Sequence, residues 1–168
     1  AAAVAGVNTA LAQSVATNIT VNATDTGGSI AKVEYFAGAT LLATQMPATV
    51  PSGNNYTYSW TPSNTTIGTI TLKTVVTDNQ GGITTLTRDV DVCGAPIVTL
   101  TSPVAGADYL APAGFTVAAT VTQPAGQPTQ AKCSTIASVS FYRDGTLIGA
   151  ADTTAPYSVA ASALPAKA

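Results

Sequence analysis

Apolar and polar residues alternate singly along most of the chain, in short runs set off by Gly, Pro and Asn. Asn18–Thr24 (NITVNAT), Ile30–Phe36 (IAKVEYF), Tyr56–Trp60 (YTYSW), Ile70–Thr77 (ITLKTVVT) and Ile83–Val92 (ITTLTRDVDV) all follow this period of two. Successive side chains then fall on opposite faces of a pleated ribbon, so each run predicts a half-buried strand. In residues 70–76 the inward set is Ile70, Leu72, Thr74 and Val76, while Thr71 and Lys73 face water. Thr, Val, Ile and Tyr suit pleated surfaces, and no long stretch shows a helical period of 3.6. The Ala-rich start has high helix propensity but no amphipathic stripe. The expected class is all-β.

A repeat underlies the pattern. IAKVEYFAGATLL from Ile30 to Leu42 lies over IASVSFYRDGTLI from Ile136 to Ile148 at an offset of 106, and Ile19–Thr24 lies over Phe115–Thr120 at an offset of 96. The difference between the offsets is an insertion around residues 123–134 (QPAGQPTQAKCS). Two copies of one β module are expected, with the boundary near Val92–Pro96, where Gly94 and Pro96 punctuate the chain. The first copy covers 1–93 with an irregular lead-in at 1–16, and the second covers 94–168 with the loop insertion at 123–134. Within the lead-in, AAAVAGVNTALAQS ends in a small-x-small pattern at Ala10-Leu11-Ala12, as a secretory signal does. It carries no basic region and no dense leucine core, so it reads better as an Ala-rich approach or a first edge strand.

These residues resemble a known family. IVTLTSP from Ile97 to Pro103, Gly106-Ala-Asp-Tyr, Phe115–Thr120, VSFYRDGTLI from Val139 to Ile148, and Ala155-Pro-Tyr-Ser are similar to the bacterial immunoglobulin-like (Big) domains of secreted and surface proteins. Thr77-Asp-Asn-Gln-Gly-Gly82 is similar to that family's turn before its last strand. The resemblance implies two tandem seven-strand sandwiches in an extracellular protein, serving as stalk, spacer or adhesin repeats. Some members accompany polysaccharide-degrading enzymes as accessory modules.

The second copy departs from the pattern. It reaches Ala163-Leu-Pro-Ala-Lys-Ala168 without counterparts of Ile70–Thr77 and Ile83–Val92, so it is expected to lack its last two strands and to expose backbone edges and apolar faces. The first copy lacks the opening seen at Ile97–Pro103. A slice of a longer repeat array, or a chain completed head to tail by strand addition between subunits, would each account for this. The resemblance also places the start of the first strand and the loop between second and third strands at one end of a sandwich. That brings Cys93 and Cys133 within reach of an intrachain disulfide closing a 40-residue separation, worth about 4 kcal/mol on a chain-entropy estimate. A bridge between subunits, or two free thiols, remain the alternatives.

Composition removes most chemistry. Of 168 residues only 8% are charged, against about 25% in typical domains, and 46% are hydrophobic. Six basic and eight acidic residues give a net charge of −2, without the clustered Lys and Arg needed to displace phosphate counterions. No nucleic acid partner is expected, and no apolar run is long enough to span a membrane as a helix. The chain has no His, and Glu34 is its single Glu, so His-based triads and His-ligated zinc are excluded and acid–base work would fall to scattered Asp residues. No catalytic, cofactor-binding or metal residue is assigned, and no cofactor.

Four residue sets still warrant weighing. Tyr56, Tyr58 and Trp60 share one strand face, either as core or as a stacking platform for sugar rings. Core is favoured, because Tyr157, Val159 and Ala161 form the matching inward series. Asp25 and Asp78-Asn79 gather at one end of the first copy, but calcium needs six to eight oxygens, so turn chemistry is the better account. Asn18, Asn22, Asn55 and Asn64 begin Asn-x-Thr sequons, which matter only in a glycosylating source. Lys32 and Lys73 lie near Asn residues, with no acid assigned for an isopeptide bond.

The expected function is a non-catalytic structural segment of a bacterial extracellular fibre, stalk or adhesin. Its partners would be neighbouring copies of itself or flanking repeats of the same protein, together with a cell-surface or polysaccharide ligand. The short Gly94-Ala95-Pro96 joint would limit bending. The alternative is a carbohydrate-binding accessory module of a secreted polysaccharide-degrading enzyme, which would need Trp60 exposed.

Overall fold

The computed structural model describes residues 9–46, 54–129 and 131–164. Most of the lead-in (1–8) and the terminal Pro165–Ala168 lie outside the described residues. Contacts divide the chain into two units: the first runs to Gly94 and takes in Gly126–Cys133, and the second comprises Ala95–Ala125 and the residues from Ser134 onward.

The first unit is a sandwich of two sheets. Strands β1 (Ala10–Ala12), β7 (Ile83–Cys93), β6 (Gly68–Asp78), β3 (Ile30–Ala37) and β4 (Thr40–Gln45) form one sheet in that order. Strands β2 (Thr17–Asn22) and β5 (Asn55–Trp60) form the other. Pairing is antiparallel except for β1, which runs parallel to β7. Inward positions of both sheets meet in one core: Ile19 and Val21 from β2, Val33 and Tyr35 from β3, Tyr56 and Trp60 from β5, Val76 from β6, and Val90 and Val92 from β7. The alternation in 70–76 holds, with Thr74 and Val76 buried and Thr71 exposed. Lys73 differs from expectation and is half-buried. It sits opposite Phe36 in the ladder, and its ammonium lies 4.0 Å from the ring centroid, so the alkyl stem covers the aromatic face.

Hydroxyls partner two of the acids of this sheet. Thr69 and Thr71 each donate a 2.6 Å hydrogen bond to the carboxylates directly across the β6–β7 ladder, Asp91 and Asp89. Asp91 is buried, and a charge-assisted bond of this kind offsets its loss of water.

The second unit has strand order β12 (Tyr157–Leu164), β9 (Ala113–Thr122), β8 (Ile97–Ser102) in one sheet and β10 (Val139–Arg143), β11 (Thr146–Asp152) in the other. Its core is small: Ala119, Phe141 and Tyr157 are buried, with Val117, Val121, Ile136, Val139, Ile148 and Val159 packed partly against them. The architecture is therefore all-β, two tandem immunoglobulin-like modules, the second without counterparts of β6 and β7 among the described residues. One short helix, α1 (Ala131–Ser134), interrupts it inside the insertion.

The insertion is distributed differently from the spacing-based expectation. Residues 126–133 cluster with the first unit, while 123–125 and Ser134 remain with the second. The reason is local and covalent, as described next.

Candidate functional site

Two features stand out on this scaffold: a stapled loop in the first unit and an uncovered face in the second. The staple begins where β7 ends. Cys93 and Cys133 are joined by a disulfide with their Cα atoms 4.9 Å apart, Cys133 being carried by α1. Gln127 holds the same loop by its side-chain amide. The Gly94 N–H donates to Oε1 at 2.9 Å, and Nε2 donates to the carbonyls of Gly94 at 3.0 Å and Cys133 at 3.1 Å. Cys133 is 3% exposed, whereas Cys93 at the end of β7 is half-buried.

The uncovered face follows from ladder geometry. Val98 and Leu100 of β8 stand directly opposite Val121 and Ala119 of β9, so they share the face that carries the core of the second unit. Yet Val98 is 60% exposed and Leu100 58%. In the first unit the inward residues Val33, Tyr35, Val76, Val90 and Val92 are buried in the shared core. An open edge accompanies the open face. In the first unit β3 is flanked by both β4 and β6, whereas among the described residues β10, its counterpart, pairs with β11 alone. In the first unit β6 sets Val76 against Val33 and Thr74 against Tyr35. By the 106-residue offset these positions correspond to Val139 and Phe141, which defines the register an added strand would take.

The remaining candidates resolve individually. Trp60 is 6% exposed and Tyr56 is buried with it. Tyr58 is half-buried and packs against Tyr35, with ring centroids 5.6 Å apart. This row is core, and burial raises the hydroxyl pKa of Tyr35 and of Tyr56. In the turn after β6, Asp78 Oδ1 accepts the N–H groups of Gln80 and Gly82, both at 2.8 Å. Asn79 Oδ1 accepts the Ser29 N–H at 3.0 Å. Both side chains thus cap backbone. Asp25 lies beside them with a buried, unpartnered Oδ2 packed against Gly28, where a Cβ would collide with it and lie 2.6 Å from Asn79 Oδ1. Among the described residues no three His, Cys, Asp or Glu side chains gather as a metal cluster.

All four sequon asparagines are exposed, although Asn22 Nδ2 donates to Asn55 Oδ1 across the β2–β5 ladder. Lys32 pairs with Glu34 at 2.9 Å and Lys73 covers Phe36, which accounts for both ammonium groups. A slot of about 490 Å³ opens beside β2, floored by Leu11, Ile19, Leu72, Leu86 and Val90, with Arg88 as its one ionisable lining residue. Among the described residues no helix is long and apolar enough to cross a membrane.

In the second unit Asp152 ties the β11–β12 turn together. Its carboxylate accepts the Thr154 N–H at 3.0 Å and the Ser158 N–H at 2.9 Å, and these bonds, Thr154 first, lower its pKa from the ordinary 3.8. A depressed carboxyl pKa stabilises the fold fully above the unfolded value and loses that contribution as pH falls through the folded one. Below pH 3.8 the second unit should therefore lose stability with a component that Asp152→Asn abolishes. Thermal melts of the two proteins at stepped acid pH check this, and parallel curves would refute it.

The model of the bacterial Ig domain matches residues 6–73 and again 96–167. A solved structure of Clostridium thermocellum CbhA fibronectin(III)-like modules is similar at 22% identity, covering 98% of this chain and 80% of its own, with a TM-score of 0.45. No curated protein sequence matches the chain.

Proposed function

The chain belongs to the bacterial Ig domain family, and on that premise we propose that it is a structural segment of a bacterial extracellular fibre, stalk or adhesin, whose second module is completed by strands of a neighbouring copy or flanking repeat. Domains of this family are generally non-catalytic and typical of extracellular and surface proteins, and the disulfide suits an oxidising compartment. The observation that carries the reading is the second unit itself. Val98 and Leu100 belong to an inner face yet meet solvent, and β10 offers a free ladder edge beside Phe141. Strand addition would satisfy both at once, because main-chain bonds supply affinity and the apolar inner positions supply register. Low charge favours such packing, since few like charges oppose close approach of copies. The accessory-module alternative loses its aromatic platform, because Trp60 and Tyr56 are buried.

Sedimentation of the 168-residue chain over a wide concentration range, paired with electron microscopy, tests completion between copies. Association that protects the amides of Val139–Arg143 from hydrogen exchange is the expected result. Leu100→Lys, at an exposed position, should leave the fold intact and abolish association. A chain that stays monodisperse with unprotected β10 amides would reject completion between copies.

A further inference from the structure

The disulfide and the order of the strands together define a covalent load path. The chain passes between the two units three times, after Gly94, after Ala125 and after Cys133. The bridge joins the first and last of these crossings, both sulfurs belonging to the first unit. Strands β8 and β9 therefore lie wholly within the covalent loop closed between Cys93 and Cys133, while β10, β11 and β12 lie outside it. Resting on the load-bearing reading above, we infer that the Cys93–Cys133 bridge is a mechanical shunt: tension along the chain runs from β7 through the disulfide into residues 134–168 and leaves β8 and β9 unloaded.

The consequence for the second unit is specific. Its three-stranded sheet pairs a loaded strand, β12, with an unloaded one, β9, over Tyr157↔Ala119 to Leu164↔Ala113. Tension strips β12 from β9 and straightens the segment beyond Cys133. The β8–β9 hairpin stays tethered at both ends, out of the force line and close to the site where β12 must return. Closing that loop also reduces the conformational freedom it has to lose on reforming. The bridge thus sets a limit on extension, and the limit is redox-dependent. Reduction releases the 40-residue separation into the load path, adding about 140 Å of chain at ~3.6 Å per residue. Cys133 is buried but Cys93 is half-buried, so reductant reaches the bridge through the Cys93 sulfur, and the released residues lengthen the chain once the folded units open.

Stretching the full chain between handles at its two ends tests this, first oxidised and then on the same tether with dithiothreitol added. The expected result is a final length about 140 Å greater after reduction. Equal final lengths in the two conditions would overturn the shunt. The Cys93→Ser, Cys133→Ser double variant should show the longer length from the outset without any reductant, whether or not it folds fully. If the oxidised chain extends without force peaks but still shows the length difference, the shunt stands and the load-bearing reading fails.

Discussion

Trp60→Ala should destabilise the first unit by about 3–5 kcal/mol, the range for truncating a buried aromatic. Trp60 closes β5 opposite Thr17 and reaches into the core shared by Val21, Val33, Tyr35 and Val92, so little can collapse into the space it leaves. For a unit of this size the melting transition should fall by more than about 10 °C, read by circular dichroism because the variant has lost the chain's single Trp. Trp60→Phe, which keeps an aromatic ring and most of the volume, should recover a large part of the loss. The same variant separates core from ligand platform. Where folded Trp60→Ala protein remains, its retention on insoluble polysaccharide should match that of the unmodified chain. Unchanged melting with lost retention would refute a core role for Trp60.

The aromatic row shows what a period of two can and cannot disclose. Tyr56, Tyr58 and Trp60 stand on one strand face by parity alone, and comparison with Tyr157, Val159 and Ala161 is what points that face inward. Strands with strict alternation were legible, because one face is buried and a slip of one residue would turn the whole apolar set outward. β1 is the first edge strand that the lead-in offered, but Ala-Leu-Ala has no alternation to read, and its parallel pairing with β7 is set by distant residues. Lys73 was misplaced toward water because parity sees only direction, while its long stem follows the Phe36 ring. α1 was invisible, since a four-residue helix is too short to display a period.

The functional surfaces divide in the same way. The open face of the second unit follows from counting strands against the repeat, and Val98 and Leu100 show it directly. The annexation of residues 126–133 by the first unit had no sequence signal beyond Cys133 itself. Gln127 is one of several amides in a polar loop, and only the folded chain brings it to both Gly94 backbone groups. Interactions between residues 33 apart in sequence depend on the tertiary path rather than on local pattern.

Removing the bridge should lower the stability of the folded chain by about 4 kcal/mol, the chain-entropy value for a separation of 40 residues. Part of the effect should appear in the first unit, because both sulfurs and residues 126–133 belong to it, and the rest in the second, whose β8 and β9 the bridge encloses. Trp60 fluorescence is the natural probe, since the chain's single Trp lies in that unit's core. In a denaturant titration the Trp60 transition of the Cys93→Ala, Cys133→Ala variant should move to lower concentration, with the slope rising if the unbridged denatured state exposes more surface. The Gln127 hydrogen bonds to Gly94 and Cys133 should retain part of the loop's docking, so Gln127→Ala should cost more in the unbridged protein than in the bridged one. A Trp60 transition that ignores reduction would show that the loop and the sandwich unfold independently. A covalent dimer on a non-reducing gel would instead assign the sulfurs to partners in different chains, and would remove the basis for stabilisation within one unit.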